Sequence, residues 1–416
     1  MPIRSPEWLT RGLAIILVAG ASGAVAADML SNRVDEYLSM ARVSQGVEEL
    51  AALLDDEPDN DEIRFALGFM QFAAGIERLG QSWYRYGLRS RSDFARMMPF
   101  LRIPVPDNRD PEPISYDDGR AVLERVLADF EQAEATLAHI GDRKVALDIH
   151  PGRGYLDFNG NGEAEENEAL WRILAAVNPR SGLDAETAAQ FRIRLDAADV
   201  HWLRGYTHLL SALLEFYLSH DGERLFDHTA HLYFEQPDTP YPFLADLQVD
   251  GSMTSMAFDA IALIHLIDLP VIEPERRART LSHLQAVIEQ SRLSWHKIRA
   301  ESDDEREWVP GPHQTSVIPG VEVTETMVEQ WLAFLEEAES ILAGETLVPF
   351  WRGDKPIGIN LRRALLESER LDLVLWLQGT AASAWFEEGP VTEAAFWREL
   401  QQAFDGRFLG FALWFN

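Results

Sequence analysis

The sequence contains no cysteine among its 416 residues. That absence excludes disulfide bonds, thiol nucleophiles and thiolate metal sites. The sequence also lacks the G-x-S-x-G, P-loop and G-x-G-x-x-G motifs, so no common hydrolase or nucleotide-binding signature is present. Basic residues are scarce, with 37 Lys and Arg against 68 Asp and Glu, and the formal net charge is −31. A surface this acidic repels phosphate backbones and argues against nucleic acid as a partner.

The N-terminus has the three-part pattern of a secretory signal peptide. Arg4 and Arg11 precede an apolar run that ends in the small residues Ala-Val-Ala at 24–26. The run is about 15 residues long, short of the ~20 that a membrane-spanning helix needs. We therefore predict a signal peptide over 1–27 and a periplasmic or secreted protein, with a retained membrane anchor as the alternative. No later segment has 18 uninterrupted apolar residues, so we expect no membrane span after cleavage.

Hydrophobic periodicity predicts a mainly α protein. Apolar residues recur at three- and four-residue steps from about residue 30, as in Val34, Leu38 and Ala41. Further helices are predicted at about 119–140, 184–219, 253–268, 273–300 and 324–344. The loops between them are mostly short, which favours antiparallel packing of neighbouring helices.

The C-terminal part has a different composition. After Leu347 the chain is rich in glycine, proline and aromatic residues without a clean helical stripe. Such a composition indicates short strands, one of which could pair with residues 371–377. The predicted fold class is therefore packed antiparallel helices with minor β pieces near the C-terminus.

A proline-rich segment is the best candidate for an internal boundary. Residues 99–117 hold five prolines and have no helical period. We interpret this segment as a linker or an extended surface segment. It would separate an N-terminal helical region, 28–98, from a helical main region, 118–416, which contains the most informative motif at 157–168.

The segment DFNGNGEAEENE at 157–168 matches the pattern D-x-[DN]-x-[DN]-G-x₅-E in full. A chance match somewhere in a chain of this length has a probability on the order of one in a thousand. Ca²⁺ takes six to eight oxygen ligands, and the pattern supplies carboxylates, amide oxygens and one backbone carbonyl at suitable spacing. Gly162 permits the sharp turn around the ion. The predicted metal ligands are Asp157, Asn159, Asn161, Glu163 (through its carbonyl), Glu165 and Glu168.

This loop resembles the calcium-binding loop of the EF-hand family. The resemblance covers twelve residues, or about thirty with the helix predicted after the loop, on whose first turn Glu168 would lie. The preceding HPGRGYL cannot form a regular entering helix, and no second matching loop is present. A single half site of this kind is similar to those of exported modules such as dockerins. The resemblance implies one structural Ca²⁺ ion bound at about 10⁻⁴–10⁻³ M. The alternative is an Asn-Gly turn before an acidic helix start.

Four histidines allow a weaker hypothesis. His201 and His208 share a helix face about 10 Å apart, and a transition-metal site would require one of them to meet His228 and His231. We interpret all four as partly buried, hydrogen-bonded histidines, because no short ligand spacing such as H-E-x-x-H is present.

Two functions remain open from the sequence. The first is an exported soluble protein that binds one calcium ion and has a binding or assembly role. The second is a calcium-stabilised periplasmic hydrolase whose site is assembled from dispersed His, Asp and Glu residues. The lack of a catalytic motif favours the first.

Overall fold

A computed structural model describes residues 28–90, 92, 94–95, 99–141, 144–177, 184–246, 253–304, 306–318, 321–352 and 356–415. The fold is mainly α, as predicted. In chain order the helices are 28–39 (α1), Val43–Asp56 (α2), Asp61–Arg85 (α3), Tyr116–Leu137 (α4), Leu170–Val177 (α5), Ala185–Ala189 (α6), Ala197–Leu218 (α7), Glu223–Thr229 (α8), Pro242–Asp246 (α9), Met253–Leu266 (α10), Pro274–Ile298 (α11), Glu325–Ala343 (α12), Leu361–Glu367 (α13), Leu373–Gln378 (α14), Ala394–Ala403 (α15) and Phe408–Phe415 (α16). The predicted signal peptide lies outside the described residues.

The long helices pack side by side in antiparallel order. Gly68 near the start of α3 faces Leu137 at the end of α4, whereas Arg78 further along α3 pairs with Asp129 further back on α4 at 2.7 Å. The same reversal relates α4 to α7, α7 to α11 and α11 to α12. Each of these helices therefore buries one apolar stripe against its neighbour, which is the arrangement that short connections favour.

The strands are short and antiparallel. They are Ala146–Ile149 (β1), Ile193–Asp196 (β2), Asp268–Pro270 (β3), Ile357–Ile359 (β4), Arg370–Asp372 (β5) and Phe386–Glu388 (β6). They pair as β1 with β2, β3 with β5 and β4 with β6. Most of the described strands lie in the C-terminal half, in line with the prediction. Residues 371–377 are a partial exception, because β5 ends at residue 372 and α14 follows it.

The helix predicted over 184–219 is interrupted. After α6 the chain forms β2, which pairs with β1 from Ile149 opposite Ile193 to Ala146 opposite Asp196. The side chain of Asp196 then accepts the Ala198 N–H at 2.7 Å and begins α7. Pairing with a distant strand therefore overrides the local helical pattern.

The proline-rich segment packs against the helices around it. Ile103, Val105 and Ile114 are buried, and Trp83 on α3 donates its indole N–H to the Phe100 carbonyl at 2.8 Å. One hydrophobic cluster contains residues from both sides of this segment. Among the described residues, no helix is long and apolar enough to cross a membrane.

Candidate calcium site

The segment 157–168 is a loop whose two ends lie together. Tyr155 and Ala169 form an antiparallel bridge, and the Leu156 N–H donates to the Glu168 carbonyl at 3.1 Å. The chain enters through a short 3₁₀ turn rather than an α-helix, as expected from HPGRGYL. The bridge therefore closes the loop in place of an entering helix.

Glu168 does not lie on the following α-helix, contrary to the prediction. It ends a 3₁₀ turn that begins at Glu166, and α5 begins only at Leu170. Ala169 between them is extended (φ −63°, ψ 133°). The reason is the bridge to Tyr155, because a residue in that pairing cannot also continue a helix.

Inside the loop, two glycines turn the chain around the carboxylate of Asp157. Gly160 and Gly162 have φ values of 73° and 76°, in the left-handed region that favours glycine. The Asp157 oxygens accept the N–H of Asn161 at 3.0 Å and that of Gly162 at 2.9 Å. Asp157 is itself buried. The first, fifth and sixth positions of the pattern thus meet at one carboxylate.

The two asparagines also place oxygens within the loop. Asn159 Oδ1 accepts the Asn161 N–H at 2.9 Å, and Asn161 Oδ1 accepts the Glu163 N–H at 2.7 Å. The carboxylate of Glu165 accepts the side-chain amides of Asn159 at 2.9 Å and Asn161 at 3.4 Å. The oxygens of positions 3, 5 and 9 are therefore held by the loop's own N–H groups.

Glu168 has an oxygen with no partner in the described structure. The residue has 0% of its surface exposed. Its Oε1 accepts the Asn159 N–H at 2.9 Å, whereas its buried Oε2 has no hydrogen-bond partner. Burial, followed by the nearby charges of Asp157 and Glu165, raises the pKa of Glu168 to about 7. A buried carboxylate with a spare oxygen is costly unless something positive compensates it.

Helix α3 packs against the loop and hydrogen-bonds to it. The Glu77 carboxylate accepts the Asp157 N–H at 3.0 Å, and the Gln81 side chain donates to the Asp157 carbonyl at 2.8 Å. Burial, with the charge on Asp157, raises the pKa of Glu77 to about 7. The ring of Phe158 is fully buried against Gly80, where an added Cβ would lie 2.0 Å from Phe158 Cδ1.

Sequence reasoning missed these supporting residues, although one signal was present. Glu77 continues the buried stripe of α3 that runs through Met70 and Ala73. A glutamate on such a stripe is unusual, because an ionised carboxylate is seldom fully buried without a partner.

The donor set fits a hard divalent cation. All side-chain donors at the predicted ligand positions are oxygens, which suits Ca²⁺ rather than Zn²⁺. The carboxylates of Asp157, Glu165 and Glu168 are not among the described groups whose ligand atoms all lie within 4.8 Å of one another. To bind one ion, these carboxylates would therefore have to move closer together than they are in the present arrangement, in which they accept hydrogen bonds from N–H groups of the loop.

The described group that does meet this spacing is Glu131, Glu215 and His283. Both oxygens of the buried Glu215 already have cationic partners, with Arg279 Nε at 2.5 Å and Arg276 Nη1 at 3.0 Å. Two guanidinium groups compensate that carboxylate and would repel a metal ion beside it. We interpret this group as part of a network of charged side chains where α4, α7 and α11 meet.

The four predicted histidines do not converge. His208 Nδ1 lies 2.9 Å from the ring of His283, and its Nε2 lies 3.1 Å from Glu134. His201 lies 2.8 Å from Gln290, and His228 hydrogen-bonds the carbonyl one turn earlier in its own helix. Burial lowers the pKa of the fourth, His231. The prediction of hydrogen-bonded, partly buried histidines agrees with the contacts of His201, His208 and His228.

A separate set of carboxylates, one of them fully within the core, lies around the start of α7. Asp199 is buried and accepts the Asp196 N–H at 2.9 Å. Burial, then the charge on Asp196, holds the pKa of Asp199 well above its usual value. Burial and the Asp196 charge also raise the pKa of Glu301 to about 7. These carboxylates repel one another, so their protonation affects stability.

Comparison with known proteins leaves the site to be interpreted from its own geometry. No protein-family model, no curated protein and no solved structure matches this chain.

Proposed function

We propose that the loop at 157–168 binds one Ca²⁺ ion as a structural ion. The observation that supports this most directly is the buried Glu168 Oε2, which has no hydrogen-bond partner in the described structure. A second ligand oxygen from the same carboxylate is what the last position of such a loop supplies. The remaining ligands would be Asp157, Asn159, Asn161, Glu165 and the carbonyl of Glu163.

Electrostatics supports a cation at this place. Asp157, Glu77 and Glu168 are buried close to one another. Within the described part of the chain, none of the three forms an ion pair with a lysine, arginine or histidine. Buried like charges are expensive, and a divalent cation offsets their desolvation and mutual repulsion together. The loop therefore gains more from an ion than an ordinary Asn-Gly turn would.

We further propose that the protein is exported, soluble and acts by binding rather than by catalysis. The signal-peptide pattern in the sequence supports export. A calcium affinity of about 10⁻⁴–10⁻³ M suits an extracellular module, because such a site fills where calcium is millimolar. An ion held by a loop anchored on α3 stabilises the fold and does not itself form a catalytic centre.

Calorimetric titration of the chelator-treated protein with CaCl₂ tests the calcium site, with Glu168→Gln as the variant. The amide keeps an acceptor for the Asn159 N–H but loses the charge, so we expect the heat of binding to disappear while the calcium-free fold is retained. Glu163→Gln is the matched control, because Glu163 is exposed and its side chain is not a proposed ligand. It should bind calcium as the wild type does.

Thermal unfolding gives a second readout. Calcium at a hundredfold above Kd stabilises the folded state by about 2.7 kcal/mol. With about 2.1 cal/mol/K of unfolding entropy per residue, a chain of 416 residues that unfolds as one unit gains about 3 °C in Tm. The highest calcium concentration tested is ~10 mM, tenfold above the weakest range for such sites. If neither heat of binding nor a thermal shift is seen there, the calcium proposal is refuted and the segment is an Asn-Gly turn.

A further inference from the structure

An apolar cavity of about 240 Å³ lies beside the calcium loop. Its walls include residues of α1, α3, α4, α5, α7, α16 and the β1–β2 pair, and no charged side chain lines it among the described residues. A cavity holds water only when two to four polar groups are available to bind each molecule. An engineered apolar cavity of about 150 Å³ stays dry and binds benzene. The present cavity is larger and its described lining is mostly apolar, so it suits a hydrocarbon ligand.

The two ends of the calcium loop form part of the wall. Leu156 and Leu170 both line the cavity. Leu156 immediately precedes Asp157, and its N–H donates to the Glu168 carbonyl at 3.1 Å. Leu170 follows Glu168 by two residues, and its N–H donates to the Gly154 carbonyl at 2.9 Å. An ion that draws Asp157 and Glu168 together would therefore also fix the positions of both leucines.

The cavity has an opening, and the few polar side-chain groups among its described lining residues are the Tyr206 hydroxyl and the indole N–H groups of Trp202 and Trp308. Phe72 and Trp202 line it and are partly exposed, so they lie at its mouth. Tyr206 stacks on Trp202 with a ring-centroid distance of 5.6 Å, and it also lines the cavity. A hydrocarbon chain fits the apolar interior, while a single polar end could remain near the Tyr206 hydroxyl or in water at the mouth.

We propose that this cavity binds the hydrocarbon chain of a single uncharged or weakly polar amphiphile, and that calcium in the loop tightens the binding. The calcium dependence rests on the proposed function of the loop; the cavity itself does not. Because the two sites share the Leu156–Glu168 and Gly154–Leu170 hydrogen bonds, each ligand should increase the affinity of the other by the same factor.

The test measures binding of the fluorescent probe N-phenyl-1-naphthylamine and its displacement by 1-decanol. Both are uncharged and do not bind calcium directly. Ala73 is buried and lines the cavity, so Ala73→Leu should fill the space and weaken probe binding at least tenfold. Leu174→Trp, at a partly exposed lining position of α5, should also weaken probe binding. It keeps the test decisive if Ala73→Leu does not fold. Ala135→Leu on the exposed face of α4 is the control and should bind the probe normally.

The calcium dependence is measured on the same proteins. Wild type should bind the probe about fivefold or more tightly in 10 mM calcium than in chelator, and Glu168→Gln should bind it with the chelator affinity in both conditions. Probe binding unchanged by both cavity-filling variants would overturn the cavity site. Cavity-dependent binding without any calcium heat would retain the cavity and refute the calcium function. Calcium heat with a calcium-independent probe affinity would refute the coupling alone.

Discussion

Replacing Gly80 by alanine tests whether α3 holds the calcium loop through the ring of Phe158. The new Cβ would lie 2.0 Å from Phe158 Cδ1 and 2.5 Å from Cε1, well inside van der Waals contact. The ring is fully buried and belongs to the second loop position, so it cannot move without moving Asp157 and Asn159. We therefore expect both lower stability and weaker calcium binding.

The magnitude follows from two opposing effects. Alanine is better than glycine within a helix by about 1 kcal/mol, whereas overpacking a well-packed site costs about 1–3 kcal/mol. Gly80→Ala should therefore lower the free energy of unfolding by up to about 2 kcal/mol. Gly119→Ala on α4 is the matched control, since its Cβ would meet nothing nearer than 3.8 Å. That variant should instead be stabilised by about 0.5–1 kcal/mol.

Urea unfolding in chelator and calorimetric calcium titration measure the two effects. Phe158→Leu in the Gly80→Ala background should relieve part of the clash, giving a coupling energy of about 0.5–3 kcal/mol in a double-mutant cycle. If both glycine variants are equally stabilised and the calcium Kd of Gly80→Ala is unchanged, then the contact between Gly80 of α3 and the ring of Phe158 does not position the calcium loop.

Two further predictions concern buried charges outside the loop. Burial, and then the charge on Asp196, raises the pKa of Asp199 in the folded state. Between about pH 4, the pKa of an unfolded aspartate, and the folded pKa, the Asp199 carboxyl is protonated only in the folded state. The free energy of unfolding therefore falls as pH rises through this window. Asp199→Asn removes the titration, so its stability relative to wild type should increase from pH 4 to pH 7 in urea unfolding, and a constant difference would contradict the assigned burial. Arg277 is buried and donates to Ser368 Oγ at 2.7 Å and to the Ala364 carbonyl at 3.3 Å. Arg277→Met should cost about 1–3 kcal/mol of unfolding free energy by leaving those acceptors without donors, and an unchanged urea midpoint would show that the contact is dispensable.

Much of the fold could be predicted because helices depend on local periodicity. The helices predicted at about 119–140, 273–300 and 324–344 correspond to α4, α11 and α12 within a few residues. The pattern failed at 184–219, where β2 pairs with β1 and breaks the helix. Strand pairing joins segments far apart in the chain, and local periodicity carries no information about it.

The sequence by itself determined the spacing of oxygen donors in the loop and the glycines that let the chain turn around them. Tertiary structure alone decided how that loop is held. Glu77, which contacts Asp157, precedes it by 80 positions, and Gly80 lies opposite Phe158 only because α3 packs against the loop. The apolar cavity is likewise formed by helices and strands from distant parts of the chain. Ligand spacing is a property of consecutive residues, whereas burial, charge environment and cavity shape depend on which segments pack together.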